Sequence, residues 1–520
     1  MPKKLSVEQI LQRHKLAQNR KEDFRSLYED AMEFALPQRN LYSGDYEGKT
    51  GGRKKMTRVF DSTAINSTQR FANRLQSGIF PPQRKWCRLE PGSDIPVERR
   101  AEAQRALDLY NEKMFAVLKQ SNFDIAMGEF LLDLSVGTAV MLVQPGDAIS
   151  PINFIPVPQY LVSFEEGANG QVDNVYRRMR IKGESINQKW PEAKIDSELA
   201  KMIEEKPTEE VDLVEATVYD YERGDYCYHV IHDKTKSELV YRRMKTSPWV
   251  VSRYMKVAGE IYGRGPVLTA LPDIKTLNKT LELLLKNASL AITGVYTAAD
   301  DGVLNPNTVK IVPGAIIPVA RNGGAQGEAL KPLPRAGDFN VSQIIINDLR
   351  ANIKRTLLDE SLPPDNMSAR SATEVVERMK ELAQNLGSAF GRLINETMIP
   401  IVSKILEVMD GAGLIDLPLR VNGLEVRVSP VSPLAMAQNM DEVNNIMQFM
   451  QIAQSMGPEA AMAIKASAAV DYIADKLGVP AVVRTSPEER QQMMQQMQQA
   501  AMQAQQAQQA EGEPQPMGGM

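Results

Sequence analysis

The sequence is poor in the residues that most often bind metals or form disulfides. It has only two cysteines, Cys87 and Cys227, which lie far apart and without a metal-ligand or redox spacing. This usage argues against a disulfide framework and fits a reducing compartment such as the cytoplasm. Only three histidines occur, and His229 and His232 would point to opposite faces of a strand. We therefore expect no metal site.

The sequence also lacks the motifs that bind nucleotides or activate nucleophiles. Gly48-Lys-Thr50 has no upstream glycine or strand, as a nucleotide-binding P-loop would require, and Gly263-Arg-Gly265 lacks the third glycine of a dinucleotide fingerprint. No Gly-x-Ser-x-Gly elbow occurs. The paired acidic residues lie in polar segments, where solvated carboxylates are the commoner explanation. These absences predict a protein that is not an enzyme and that needs no cofactor.

Long apolar runs and a strong charge of either sign are absent as well. No run approaches the roughly 20 apolar residues that a membrane span requires, so we expect a soluble protein without a membrane partner. The formal net charge of −4 argues against tight binding of nucleic acid over a broad basic surface. A chain of 520 residues is long enough to form several domains with a large core.

Blocks of helical and strand-like periodicity predict an α+β fold that is mainly helical. Residues 1–260 are interpreted as one α+β domain. Its predicted helices are Leu5–Phe34, Asp61–Ile79, Val97–Lys119 and Asp124–Leu134. Its predicted strands are Val136–Val143, Gln159–Phe164, Val172–Arg180, Val211–Asp220, Tyr226–His232, Glu238–Arg243 and Trp249–Met255. Asn169-Gly170 indicates a hairpin between two of these strands.

Two helical patterns of similar length flank a compact segment rich in glycine and proline. The first is Asp273–Leu290, for which Pro272 is the predicted start, and the second is Val341–Leu358. The segment Thr293–Asn340 between them has predicted strands at Val309–Val312 and Ala315–Ala320. Helices of equal length around an insert predict an antiparallel pair that carries a tip domain.

A loop broken by prolines separates this pair from a longer helix. Pro363 and Pro364 end the preceding helix, and a new helix begins at Ser371 with a capping box. Pro400 lies inside the new helix and predicts a kink near Glu396.

The rest of the chain returns to the first domain and then becomes helical. Leu424–Val428 alternates like a single returning strand, and Ala435–Met456 and Pro458–Leu477 are predicted helices. The last segment, 483–520, is rich in glutamine, methionine and alanine, a composition compatible with either helix or disorder.

Several stretches resemble the portal, or head-to-tail connector, family of short-tailed bacteriophages. In Ser62–Leu89 a helix ends in a Phe-Pro element that is followed shortly by a tryptophan, Trp86, as in that family. The agreement continues, in the same order along the chain, through Leu134–Leu142, Gly259–Arg264 and the long helix from Ser371 to Pro400.

The resemblance implies a portal-type subunit that assembles into a dodecameric ring with a central channel. It divides the chain into a wing (1–260), a first stem helix (261–292), a clip (293–340), a second stem helix (341–359), a tunnel loop (360–370), a long kinked helix with a returning wing strand (371–433), crown helices (434–482) and a tail (483–520).

The resemblance also implies where the ring acts and what it binds. The ring would be assembled in the host cytoplasm and occupy one vertex of the virion capsid, where it conducts double-stranded DNA during packaging and ejection. Its partners would be the terminase packaging motor, tail adaptor or nozzle proteins, and capsid and scaffolding proteins. The residues expected nearest the DNA are those of the tunnel loop: Leu362, Pro363, Pro364, Asp365, Asn366, Met367, Ser368, Ala369 and Arg370. Clip residues expected to contact the channel or a partner are Lys310, Lys331 and Arg335.

Three alternatives remain open from the sequence. In the first alternative, the tunnel loop merely connects two helices. The protein would in another be a head-tail adaptor or scaffold that oligomerises without conducting DNA. In the third it would be a nuclease or hydrolase with scattered acidic ligands.

Overall fold

The structure, a computed structural model, describes most of the chain. The described residues are 5–39, 58–82, 84–92, 94–147, 149–293, 296–298, 330–332, 339–359, 381–382, 384–415, 426–457 and 464–476, together with residues 485, 493, 495 and 496. They form a mixed α+β fold that is mainly helical, as predicted.

The chain divides into two compact units. The first contains residues 1–84 and 114–418, and the second contains residues 85–113 and 419–520. This division differs from the predicted single domain of residues 1–260, because a strand near residue 90 pairs with one near residue 428 and not with the strands of the first unit.

Helices, a small two-stranded sheet and two larger antiparallel sheets make up the described part of the first unit. Its helices are α1 (Val7–Ala35), α2 (Thr63–Ile79), the end of α3 (Val97–Gln120), α4 (Phe123–Val136), α5 (Ser185–Lys189), α6 (Ser197–Glu205), α7 (Pro266–Thr293), α8 (Phe339–Thr356), α9 (Ser388–Leu393) and α10 (Ile399–Gly411). One sheet has the strand order β3–β2–β9, formed by β2 (Thr138–Pro145), β3 (Ile152–Val157) and β9 (Trp249–Arg253). The other is a meander of β4 (Val162–Glu166), β5 (Val172–Lys182), β6 (Glu210–Asp220), β7 (Asp225–His232) and β8 (Glu238–Met244).

The predicted hairpin at Asn169-Gly170 is confirmed. Strands β4 and β5 pair antiparallel on either side of it, with Phe164 opposite Val175. Gly170 has a φ of +73°, a conformation that glycine adopts without the steric cost that other residues meet.

The glycines of the Gly263-Arg-Gly265 segment serve close backbone packing. A Cβ atom on Gly263 would lie 2.5 Å from the carbonyl oxygen of Gly137, and one on Gly265 would lie 2.1 Å from that of Ser135. The backbone N–H of Gly265 donates to the carbonyl of Val136 at 2.8 Å. These glycines therefore let the chain that enters α7 lie directly against the junction of α4 and β2.

The main core of the first unit joins the helices to the β3–β2–β9 sheet and to strands β4 and β5 of the meander. Its aromatic centre includes Tyr28 of α1, Phe164 of β4 and Tyr262, whose ring lies with its centroid 4.2 Å from that of Phe164. The same core extends along one side of α7 and α8. Separate apolar clusters cover the two faces of the meander sheet.

The described part of the predicted long helix is interrupted, which differs from the continuous pattern expected. Gly387 has a φ of +48° and separates a short helical stretch from α9. Ile394–Met398 then form a π-helix, in which the N–H of Ile399 donates to the carbonyl of Ile394. Pro400 lies in the first turn of α10. In a continuous α-helix its ring would meet the carbonyl of Glu396, and the wider π turn avoids that clash.

The second unit is built around a two-stranded sheet. Strand β1 (Cys87–Pro91) pairs antiparallel with β12 (Val426–Pro430), so that Leu89 lies opposite Val428. The returning strand predicted at Leu424–Val428 therefore pairs with the early part of the chain. The remaining described helices of this unit are the first part of α3, α11 (Pro433–Ser455) and α12 (Ala466–Lys476).

Candidate functional site

Helices α7 and α8 pack against each other, as the apolar stripes predict. Their buried faces carry Ile274 and Leu277 on α7 and Ile346 and Ile353 on α8, and Leu357, directly after α8, is buried in the same core. Burial of one such side chain contributes about 1.5–3 kcal/mol. Two starting points differ from the prediction: α7 begins at Pro266, so that Pro272 lies inside the helix, and α8 begins at Phe339.

The chain between the two helices leaves and returns at one place. Strand β10 (Tyr296–Ala298) follows α7, and β11 (Leu330–Pro332) precedes α8. The two strands pair antiparallel, with Thr297 opposite Lys331. The end of α7 and the beginning of α8 therefore lie side by side, as they do in an antiparallel pair.

Residues 58–61, which lead into α2, form hydrogen bonds with both α7 and α8. Asn278 of α7 accepts a hydrogen bond from the N–H of Phe60 at 2.6 Å and donates to the carbonyl of Arg58 at 2.7 Å. Arg350 of α8 donates to the carboxylate of Asp61 at 2.7 Å. Burial alone would raise the pKa of Asp61, but hydrogen bonds from Thr63 and Arg350 outweigh it and lower that pKa.

The surfaces of α7 and α8 outside their buried faces are unusually apolar for an exposed surface. Large apolar side chains stay exposed there, at 49% for Leu283, 52% for Leu285, 61% for Ile344 and 46% for Ile345. Single exposed apolar residues are ordinary, but a group of this kind on neighbouring helices marks an interaction surface. We call these four residues the exposed stem patch.

On the polar side of α7 one carboxylate pairs with two lysines and offsets part of their charge. The carboxylate of Glu282 accepts hydrogen bonds from Lys286 at 2.6 Å and Lys279 at 2.9 Å. These two hydrogen bonds lower the pKa of Glu282 to about 2, so it stays charged near neutral pH.

A buried arginine holds the π-helix to the two sheets. Arg253 of β9 is only 1% exposed and donates to Glu396 of the π-helix and to Glu166 of β4, each at 2.7 Å. The backbone N–H of Arg253 donates to the second carboxylate oxygen of Glu396 at 2.9 Å. Lys256 and Arg392 add a second cation to Glu166 and Glu396, respectively. The sequence gives no local signal for this cluster, because its members lie far apart along the chain.

Most of the predicted site residues lie outside the described part of the structure. This applies to the tunnel loop, residues 362–370, to the clip residues Lys310 and Arg335, and to the strands predicted at Val309–Val312 and Ala315–Ala320. The backbone of Lys331 lies in β11, and its side chain is not described. Their roles therefore stay predictions.

One group of potential metal ligands is present among the described residues. Asp220, Asp225 and Cys227 approach one another at the β6–β7 turn, with ligand atoms within 4.8 Å. Arg243 of β8 donates to both carboxylates, at 3.0 Å to Asp220. The arginine supplies the positive charge that a cation would otherwise bring, so this group is explained as an ion-pair cluster.

A search of the described helices for membrane spans finds none that is both long and apolar enough to cross a bilayer.

A family model of known proteins covers nearly the whole chain. Residues 7–484 match the family described as "Bacteriophage head to tail connecting protein", and the chain belongs to this family. The predicted resemblance to portal proteins is thereby confirmed, and the protein is a virion component of the head-to-tail junction.

Individual relatives carry the name of portal protein. The chain is 23% identical over 498 residues to the probable portal protein of Bordetella phage BPP-1, covering 90% of this chain and 87% of the relative. It is 22% identical over 373 residues to the portal protein of Enterobacteria phage T3, covering 69% and 67%. The portal protein of Salmonella phage epsilon15 is 21% identical over 510 residues, covering 93% and 90%. A chain of the virion of a native gene transfer agent particle aligns with a TM-score of 0.33 at 12% identity, covering 77% of this chain and 91% of that chain.

Proposed function

We propose that copies of this chain form a closed ring, dodecameric as the family resemblance implies, whose central channel conducts double-stranded DNA into and out of the capsid. In this proposal α7 and α8 are the stem, the segment between them is the clip, residues 360–370 are the tunnel loop, and the helices after residue 434 are the crown. Residues 1–260 form most of the wing.

The observation that carries this proposal is the exposed stem patch. Leu283 and Leu285 on α7, which flank the core-packed Leu284, and Ile344 and Ile345 on α8 are exposed apolar residues outside the faces that these helices bury. In a ring each subunit uses two different surfaces, one toward each neighbour, and such heterologous contacts close when the rotation fits. Packing between neighbouring stems would remove the patch from water.

A channel for moving DNA must avoid strong phosphate binding. Each phosphate that a lysine or arginine neutralises adds to a salt-dependent affinity, and many such contacts would act as a brake. Glu282 of α7 offsets part of the charge of Lys279 and Lys286, and the chain as a whole has a net charge of −4, so we expect a channel wall that binds phosphates only weakly. Contacts of the tunnel loop would be to the DNA backbone and would not read sequence.

The proposed partners follow from the same assignment. The clip, with Lys310, Lys331 and Arg335, would contact the terminase motor during packaging and a tail adaptor or nozzle protein afterwards. The wing would contact capsid and scaffolding proteins at the vertex. The motor, and not this chain, would hydrolyse ATP.

Deletion of residues 365–369 tests the role of the loop. We expect the variant to assemble into rings of wild-type size but to package or retain less DNA. Unchanged packaging and retention in an assembled ring would contradict the loop assignment and favour a plain helix connection.

The alternative functions give different results with the purified protein. An adaptor or scaffold would form oligomers without a central hole in electron micrographs. A nuclease would cleave DNA in a reaction that depends on a divalent metal.

A further inference from the structure

Helix α8 ends in a backbone conformation that a leucine rarely adopts. The N–H of Asp359 donates to the carbonyl of Lys354 at 2.7 Å, and that of Leu358 donates to the carbonyl of Arg355 at 3.0 Å. This pair of bonds is a Schellman motif, in which the left-handed position is usually glycine. Leu358 occupies it with a φ of +54°, at a cost of about 1–2 kcal/mol. Such a conformation persists only where surrounding contacts hold it.

The contacts that hold it come from one face of α2. Ser67, Arg70 and Arg74 are spaced three and four residues apart, so they lie in a row along this helix. The hydroxyl of Ser67 donates to the carboxylate of Asp359 at 2.7 Å, and Arg70 donates to the same carboxylate at 3.2 Å. Arg74 donates to the carbonyl of Leu358.

Asp359 is a buried charge, and it is the last described residue before the proposed tunnel loop. It is 1% exposed, and its partner Ser67 is equally buried. A carboxylate buried in this way is costly unless it is hydrogen-bonded, so the bond to Ser67 fixes where it lies. Asp61, which precedes α2, also binds Arg350 of α8. Contacts therefore connect α2 and the residues before it to α8 at two places, within α8 and at its C-terminal end. The direction in which the chain leaves α8 is thereby set by α2.

We propose that Asp359 is a positioning residue for the tunnel loop, and that α2 holds it through Ser67, Arg70 and Arg74. Asp359 does not touch DNA in this proposal; it fixes the start of the segment that does. The proposal rests on the assignment of residues 360–370 as the tunnel loop.

Three variants separate positioning from general stability. Asp359→Ala removes both hydrogen-bond acceptors, whereas Asp359→Asn keeps an oxygen for Ser67. Asp348→Ala is the matched control, because Asp348 is an exposed aspartate on the same helix. Each change is made in the full chain and, separately, in the chain that lacks residues 365–369. Ring size and thermal unfolding are measured for every variant.

Two readouts follow. The first is DNA packaging and retention by particles that contain each ring. The second, which applies only to the chains that keep residues 365–369, is the mobility of a spin label attached at Ser368→Cys in a Cys227→Ser background. Cys87 is buried, and burial raises the pKa of its thiol, so the label should not react there.

We expect Asp359→Ala to assemble normally, to raise the label mobility and to reproduce most of the DNA-retention loss caused by the loop deletion. Asp359→Asn should lie between Asp359→Ala and the wild type, and Asp348→Ala should match the wild type. In the loop-deleted chain Asp359→Ala should cause no further loss, because there is no longer a loop to position.

Two outcomes would separately contradict the positioning proposal and the loop assignment. If the deletion lowers DNA retention while Asp359→Ala changes neither retention nor label mobility, the positioning proposal is wrong and the loop assignment stands. If the deletion changes nothing, the loop assignment fails. Label mobility then tests the positioning claim by itself. A higher mobility in Asp359→Ala than in the wild type supports the claim, and an unchanged mobility contradicts it.

Discussion

Replacing Arg253 by methionine should destabilise the first unit more than any single surface change. The guanidinium is 1% exposed and donates to Glu396 and Glu166, each at 2.7 Å, and also to the carbonyl of Gly170 at 3.0 Å. Removing one partner of a buried ion pair typically costs about 3–5 kcal/mol, because the remaining charge stays desolvated. Lys256 and Arg392 still neutralise the two carboxylates, so we expect the lower end, about 3 kcal/mol.

The companion substitution identifies the ion pair as the cause. Glu396→Gln keeps an oxygen for the backbone N–H of Arg253 and leaves the arginine paired with Glu166, so it should cost about 1–2 kcal/mol. The double variant should lose less than the sum of the two, with a coupling of about 1 kcal/mol or more. Arg223→Met is the control. Arg223 is exposed in the β6–β7 turn, so its change should stay within about 0.5 kcal/mol.

Urea unfolding followed by tryptophan fluorescence measures these differences. Trp249 lies on the same strand as Arg253, and its indole N–H donates to Thr217 at 3.0 Å. With Trp86 and Trp190 replaced by phenylalanine, the signal reports on that region alone. Protein concentration is held constant, since subunit assembly also shifts apparent stability. An Arg253→Met variant that unfolds within about 0.5 kcal/mol of the parent would refute the reasoning.

Three further predictions address pH, capping and assembly. Burial lowers the pKa of His14 from 6.5 to about 4, so stability should fall as pH drops through that window, and His14→Gln should flatten the change in Tm. Hydrogen bonds, chiefly from Ser237, outweigh the opposing effect of burial and lower the pKa of Asp196 from 3.8 to about 2. Asp196→Ala should therefore cost about 1 kcal/mol near neutral pH and progressively less as pH falls through that range, as acid-dependent unfolding curves would show. Ile344→Asp should leave far-UV circular dichroism unchanged but prevent ring assembly in sizing chromatography, whereas Ile149→Asp, at an exposed hairpin tip, should assemble normally.

Local patterns predict much of this fold. The period of apolar residues identifies α7 and α8 and their shared face, and Asn169-Gly170 identifies the β4–β5 hairpin, because both signals depend on neighbouring residues. Strands β1 and β3 were not predicted. β1 is short and pairs with β12, far along the chain, whereas β3 pairs with the neighbouring β2 but contains Pro156, which weakens its strand pattern. Pro266 fits a first helical position, but the main helix was predicted to start at Pro272; the helix in fact continues from Pro266 through Pro272, which the packed structure tolerates.

Local sequence patterns could not predict the side-chain contacts that define the candidate site. Ser67 and Asp359 are 292 residues apart, and Arg253 and Glu396 are 143 apart. Neither pair has a spacing or motif that would connect its members. The break at Gly387 was overlooked because the apolar stripe continues across it. The family resemblance, in contrast, was visible because it depends on several short stretches in a fixed order.

Electron microscopy of the purified full-length protein, in negative stain, tests the central proposal most directly. We predict closed rings with a stain-filled central hole in top views and, in side views, a narrow stalk made of the α7–α8 pairs of neighbouring copies. Particles without a hole, or single compact subunits only, would contradict it.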